Sequence, residues 1–148
     1  PTGARLVTLD PSGRFIRQLP YPADTGFISD IELDGRGGIL LLDNINTRIY
    51  QLPKDASQFV PLTQALHDYM DFPISMAHDQ QNRIHIIDQN GAALISLGPD
   101  GTFQGRQLNL GAKAGFLNYP SGLCITRNGD LFIADRSNNR IQQFKILR

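Results

Sequence analysis

Three stretches of this sequence repeat one another, and that repeat limits the fold more than any other feature. Residues 27–43, 72–88 and 119–135 align without a gap. An aromatic residue opens each stretch (Phe27, Phe72, Tyr119) and an aspartate closes each (Asp43, Asp88, Asp135). Both landmarks recur at intervals of 45 and then 47 residues. Within each unit a half-alternating segment (Ile31–Leu33, Met76–His78, Leu123–Ile125) leads into a polar or glycine-rich turn. A short apolar run follows (Ile39–Leu42, Ile84–Ile87, Leu131–Ala134). A run that is apolar at both parities is a strand buried on both faces. A third strand begins six residues after each aspartate, at Ile49, Leu94 and Ile141. A fourth, more polar strand is expected near Phe103–Leu108, after the turn Gly98-Pro-Asp-Gly101.

Four short turn-separated strands in roughly 46 residues describe a β-propeller blade. The strand-length runs exclude a solenoid of helix pairs. Leu6–Phe15 matches Leu94–Phe103, so the chain starts at the third strand of a blade. The expected organisation is one all-β segment built from blades of four antiparallel strands. Residues 1–26 supply the third and fourth strands of a partial blade, 27–71 and 72–118 are blades, and 119–148 is a blade lacking its last strand. Three to three and a half blades leave a ring open, since propellers close with about four to eight. The expectation is therefore an incomplete ring, either a fragment of a longer propeller or a half-ring completed by another copy or another chain.

Residues 119–144 resemble an NHL repeat. They carry the Pro120-x-Gly122 opening, the Asn128-Gly129 turn, Ile133-Ala-Asp135 and Asn138-Asn-Arg-Ile-Gln142. The first full blade keeps Asp43, Asn46, Arg48 and Ile49 but has Ile28-Ser-Asp30 at its opening. The second keeps Pro73 and Asp88 but places Ala93 where its neighbours have Arg48 and Arg140. The resemblance implies a propeller, usually six-bladed, of which this chain would be half. It implies no single activity, because the family includes protein-binding modules, RNA binders and a few enzymes.

The recurring Asp43, Asp88, Asp135, Arg48 and Arg140 read as scaffold. Such an aspartate accepts hydrogen bonds from the next turn, and the arginine bonds it or the turn carbonyls. The loops after the aspartates supply candidate interaction residues: Asn44, Asn46, Gln89, Asn90, Arg136 and Asn138. Other candidates break the repeat. His78 and His85 lie on adjacent strands, where a metal pair or hydrogen-bonded interior imidazoles would fit. Asp30, Glu32 and Asp34 alternate along an innermost strand. They could hold a divalent cation in the channel, or take an arginine from a neighbouring blade. Leu62, Ala65, Leu66, Tyr69 and Met70 fall at helical spacing, which predicts either a projecting helical insert or a plug packed on the propeller. Cys124 reads as a buried, inert thiol.

No catalytic residue and no cofactor is assigned from the sequence. Fourteen basic residues balance fourteen acidic ones, so no global field favours nucleic acid. Arg36, Arg83 and Arg127 in corresponding turns are the single feature pointing to RNA. A single cysteine excludes a disulfide framework, and no apolar run reaches the roughly 20 residues of a membrane span. A start without Met fits a secreted or periplasmic protein. The expected function is a non-catalytic protein-interaction or assembly scaffold. Its partner would be a second copy or a different chain. The alternative is part of a six-bladed metal-dependent lyase or lactonase-like enzyme.

Overall fold

Residues 3–147 are described by a computed structural model. Its strands form four antiparallel sheets, and within each sheet every strand pairs with its neighbours in sequence. The first sheet holds β1 (Arg5–Leu9) and β2 (Phe15–Pro20). The next holds β3 (Ile28–Leu33), β4 (Ile39–Asp43), β5 (Arg48–Leu52) and β6 (Val60–Pro61). The third holds β7 (Pro73–His78), β8 (Ile84–Asp88), β9 (Ala93–Leu97) and β10 (Phe103–Gln107). The last holds β11 (Gly122–Ile125), β12 (Asp130–Asp135) and β13 (Arg140–Lys145). These are propeller blades in an unclosed array. No helix among the described residues is long and apolar enough to cross a membrane.

The turns between the first two strands of each blade need a left-handed residue at one position. Gly37, Asn82 and Gly129 occupy it, with φ of 87°, 57° and 78°. Glycine takes this conformation without steric cost, and asparagine is among the residues that tolerate it. A second left-handed position lies four residues beyond each repeat aspartate. Thr47, Ala92 and Asn139 fill it at φ of 47°, 48° and 52°.

The apolar runs on β4 and β8 are continuous because each feeds two cores. Leu41, Tyr50, Leu52 and Phe59 pack against Leu6, Leu19 and Tyr21 of the first sheet. Leu40, Leu42 and Ile49 point the other way, onto Met76, Ile84, Ile86, Ile95 and Leu97. Ile87, Ala92 and Leu94 then meet Leu131 and Ile133, with Leu123, Ile125 and Phe144 at the margin. Backbone staples join the blades at their inner strands. The Met76 N–H donates to Asp30 Oδ2 (2.8 Å), and the Leu123 N–H, one repeat on, donates to Ser75 Oγ (3.4 Å).

The segment after β6 is not a helix. The N–H groups of Leu62 and Thr63 donate to the Ile49 carbonyl, and Thr63 Oγ1 accepts from the Ile49 N–H (3.0 Å). One turn then forms, with the Tyr69 and Met70 N–H groups both reaching the Leu66 carbonyl. Leu66 and Met70 are buried in the core between the two four-stranded sheets, and Leu62 packs on it. Tyr69 stacks on Phe103 with centroids 3.9 Å apart. The helical spacing therefore reports a plug over that core: its apolar residues are spaced to cover the core, while its backbone bonds to β5.

Candidate functional site

The three repeat aspartates lock each blade to the segment that opens it. Asp43 accepts from the N–H groups of Gly26 (2.8 Å), Phe27 (3.1 Å), Ile45 and Asn46 and from Asn46 Nδ2. Asp88 accepts from the N–H groups of Asp71 (3.1 Å) and Phe72 (2.7 Å). Asp135 accepts from the Asn118 N–H and the Asn138, Arg140 and Gln142 side chains. Burial pushes the Asp43 and Asp135 carboxyls up. The hydrogen bonds outweigh it, from Gly26, Asn46 and Phe27 to Asp43 and from Asn118, Asn138 and Arg140 to Asp135. Both carboxyls are held below the usual carboxylate range. Arg140 bonds Asp135 at 2.7 Å and caps the carbonyls of Ala112, Lys113 and Phe116. Arg48 instead pairs with Asp24 (3.1 Å), which also takes the Tyr50 hydroxyl. Where Ala93 replaces the arginine, Arg106 of β10 reaches the Gly91 carbonyl (2.8 Å).

The loop candidates divide sharply. Asn44 and Gln89 are buried, and Gln89 Nε2 donates to the Pro120 carbonyl (3.1 Å). Asn46 and Asn138 donate to Asp43 and Asp135 and to the carbonyls of Asp24 and Gly111. Asn90 and Arg136 remain exposed, Arg136 lying over the Tyr119 ring at 5.7 Å. Arg83 turns inward onto Asp79, so the three turn arginines do not form a uniform basic ring.

His78 and His85 do not converge. Ala77 stands opposite His85 and His78 opposite Ile84, so the two imidazoles leave opposite faces of the sheet. His78 Nδ1 lies 2.8 Å from Glu32 Oε1 across the blade boundary. The partner of the acidic strand is thus a histidine, not the arginine expected from charge alone. Asp30 serves the backbone staple, and Asp34 accepts from the N–H groups of Arg36 and Gly38 in its own turn. Among the described residues, no three His, Cys, Asp or Glu side chains gather to hold a metal ion.

Cys124 is exposed rather than buried. It faces away from the second four-stranded sheet, on the side where the equivalent Ala77 is covered by the next blade. The same reason exposes Ile141 (66%), whose equivalent Ile49 is sealed (0%). At the other end, Val7 and Leu9 are 46% and 53% exposed, while the equivalent Ile95 and Leu97 are sealed.

One constellation escaped the sequence reading. Asp79 Oδ1 accepts from the N–H groups of Gln81 (2.9 Å) and Arg83 (3.0 Å). Its Oδ2 takes Arg83 Nε (2.7 Å) and His85 Nε2 (3.0 Å). His85 Nδ1 then meets Ser96 Oγ at 3.0 Å. Burial pushes the Asp79 carboxyl up, but the bonds from His85 and Arg83 hold it below the usual range. The signal available was the departure from the repeat. Ser96 stands where the other blades have Gln51 and Gln143, and His85 where they have Leu40 and Phe132. Ser96 and His85 line a cleft of about 400 Å³ between the second four-stranded sheet and the last sheet.

Comparison with known proteins agrees with this architecture. The NHL repeat family model matches residues 117–144. No curated protein matches the chain. A streptogramin B lyase structure superposes with a TM-score of 0.70 at 18% identity, covering 96% of this chain and 48% of that one. A virginiamycin B lyase from Staphylococcus aureus gives 0.67 at 15% identity, covering 97% and 49%. A catalytically inactive H270A form of that lyase, solved with quinupristin, gives 0.63 at 17%. The chain spans about half the length of these structures, and at such identity the likeness is one of fold. The chain thus carries an NHL repeat at residues 117–144 and folds as a partial β-propeller.

Proposed function

We propose that this chain is a propeller scaffold that works by assembly. Further blades seat on its two end faces, supplied by a second copy or by another stretch of polypeptide. The observation that carries the reading is the contrast between equivalent positions. Val7, Leu9 and Ile141 hold apolar side chains in water where Ile95, Leu97 and Ile49 are sealed by a neighbouring blade. Apolar faces of this kind mark interaction surfaces. One face is the side a blade shows its predecessor and the other the side it shows its successor, so contact between copies is head-to-tail and can close a ring.

Light scattering across a range of concentrations tests this, together with the reaction of Cys124 with a chromogenic disulfide reagent. A discrete oligomer in which Cys124 is protected is expected. A soluble, folded monomer with Cys124 fully reactive at every concentration would overturn it.

A second reading, part of a lyase-like enzyme, draws on two observations. The similar solved structures are named as streptogramin B and virginiamycin B lyases, and this chain sets Glu32 and His78 together on innermost strands. A divalent cation in the channel would then take Glu32 and further oxygens from blades outside this chain. Metal-dependent loss of virginiamycin B in the presence of the assembled ring would favour it. No turnover with or without added divalent cation would remove it.

A further inference from the structure

We propose that Ser96, His85 and Asp79 form a serine acyl-hydrolase site acting on short-chain apolar esters. A carboxylate can only accept hydrogen bonds, so the contact with Asp79 Oδ2 places the imidazole proton on His85 Nε2. That leaves the lone pair of Nδ1 directed at Ser96 Oγ, 3.0 Å away, and the hydroxyl donates to it. Nucleophile, base and orienting acid thus stand in hydrogen-bond sequence as in a serine-hydrolase triad, with the two ring nitrogens exchanged: Nδ1 faces the serine and Nε2 the aspartate. His85 and Asp79 are buried, while Ser96 is half-buried and lines the cleft.

The repeat shows that structure alone does not require this relay. In the preceding blade Gln51 Nε2 reaches the turn carboxylate of Asp34 directly (3.2 Å). In the following one Gln143 Nε2 donates across the ladder to Asp130, the first residue of β12 (3.3 Å). A single amide ties strand to turn in the preceding blade, and in the following one an amide bonds the neighbouring strand with no relay. The middle blade divides that task between an imidazole and a hydroxyl, and puts the hydroxyl where a cleft opens. The β9–β10 register shifts beside Ser96, between Phe103 and Gly105, and bulges of this kind re-aim side chains next to active sites. Gln104, at that shift, lines the same cleft and carries an amide donor for a developing oxyanion. Leu94, Leu108, Leu131 and Phe144 supply apolar walls for a short acyl chain. Both sheets that line the cleft belong to this chain.

In the reaction, Ser96 Oγ bonds to the ester carbonyl carbon and its proton passes to His85 Nδ1. The bond to the alcohol oxygen then breaks, and His85 returns the proton to that leaving group. Water attacks the acyl-serine, gives its proton to His85, and the carboxylic acid departs as Ser96 is reprotonated. Asp79 acts as a positioning residue through the imidazole. Arg83 shares its Oδ2, which limits how far the carboxylate stabilises the imidazolium.

The test follows hydrolysis of 4-nitrophenyl butyrate by the full chain and maps the adduct of a fluorophosphonate probe by mass spectrometry. The expected result is a burst of nitrophenolate and an adduct on Ser96. Ser96→Ala should melt with the wild type and lose activity ~100-fold or more, the share a general base and its nucleophile carry. Ser137→Ala should change nothing. Asp79→Asn should lower kcat and leave KM. Wild-type turnover by Ser96→Ala, or an adduct absent from Ser96 in the folded protein, would overturn the assignment. A change in KM alone on Asp79→Asn would overturn the part given to that residue.

Discussion

Ile49 and Ile141 occupy the same repeat position, and truncating each to alanine should separate what the fold requires from what the neighbour supplies. Both leave the third strand of a blade toward the following blade. Ile49 meets Leu40, Leu42 and the β7–β9 side chains there, whereas Ile141 meets solvent. Removing three carbons from a sealed core position costs about 3 kcal/mol, transfer and cavity terms together. At the exposed position only strand preference is lost, at most about 1 kcal/mol. The difference in the isolated chain should therefore be about 2 kcal/mol. At about 2–4 °C per kcal/mol for a chain of this size, Ile49→Ala should lower Tm by about 6–12 °C. Ile141→Ala should lower it by no more than about 4 °C. Urea titrations followed by far-UV circular dichroism would read both costs. Under conditions where the ring assembles, the Ile141→Ala cost should climb toward that of Ile49→Ala, and the variant should weaken assembly. Equal costs in the unassembled chain would refute the reasoning, since they would mean that Ile141 is already covered.

The aspartate locks should differ in strength with their partners. Asp135→Asn leaves Arg140 facing a neutral amide and should cost about 3 kcal/mol in chemical denaturation, whereas Asp88→Asn, with two backbone donors, should cost about 1 kcal/mol. Asp43, Asp79 and Asp135 all have carboxyls held low in the folded state, so the folded chain binds fewer protons than the unfolded one just below pH 4. Their stabilisation is complete above that point and is lost as pH falls through the folded values; acid titration by circular dichroism should show it, and stability unchanged from pH 5 to 2 would contradict it. Leu66→Ala should cost about 2–4 kcal/mol by urea titration, because the residue is a plug on the central core; a projecting insert would lose almost nothing. The half-buried Glu32–His78 pair should show a coupling below about 1 kcal/mol in a double-mutant cycle with Glu32→Gln and His78→Ala.

What the sequence made legible was the repeat, and with it everything that repetition determines. Phe27, Phe72 and Tyr119 mark the blade openings, and the apolar runs at Ile39 and Ile84 are strands that feed a core on each side, whereas the run at Leu131 feeds one core and leaves its other face open. Less legible was whatever depends on a neighbour. Cys124 sits at a strand position that is buried in one blade and open in another, and no local pattern distinguishes the two. Leu66 and Met70 carry helical spacing because a plug and a helix can present apolar residues at the same intervals. Asn46 and Asn138 look like free amides in a loop, but a carboxylate that needs donors in a dry turn uses them first.

The relay from Asp79 to Ser96 shows the same limit from the opposite side. Residues 79, 85 and 96 form no spaced motif. They meet because a turn brings Asp79 back beside β8 and because the ladder sets His85 opposite Ser96. Each of the three is unremarkable alone: a turn aspartate, an interior histidine and a strand serine. Only against Gln51 and Gln143 does the pair at 85 and 96 stand out as a departure. In a repeat protein the informative residue is the one whose equivalents already perform the structural task by simpler means. By that measure Ser96 has the strongest claim to chemistry in this chain, ahead of the locks that recur in every blade.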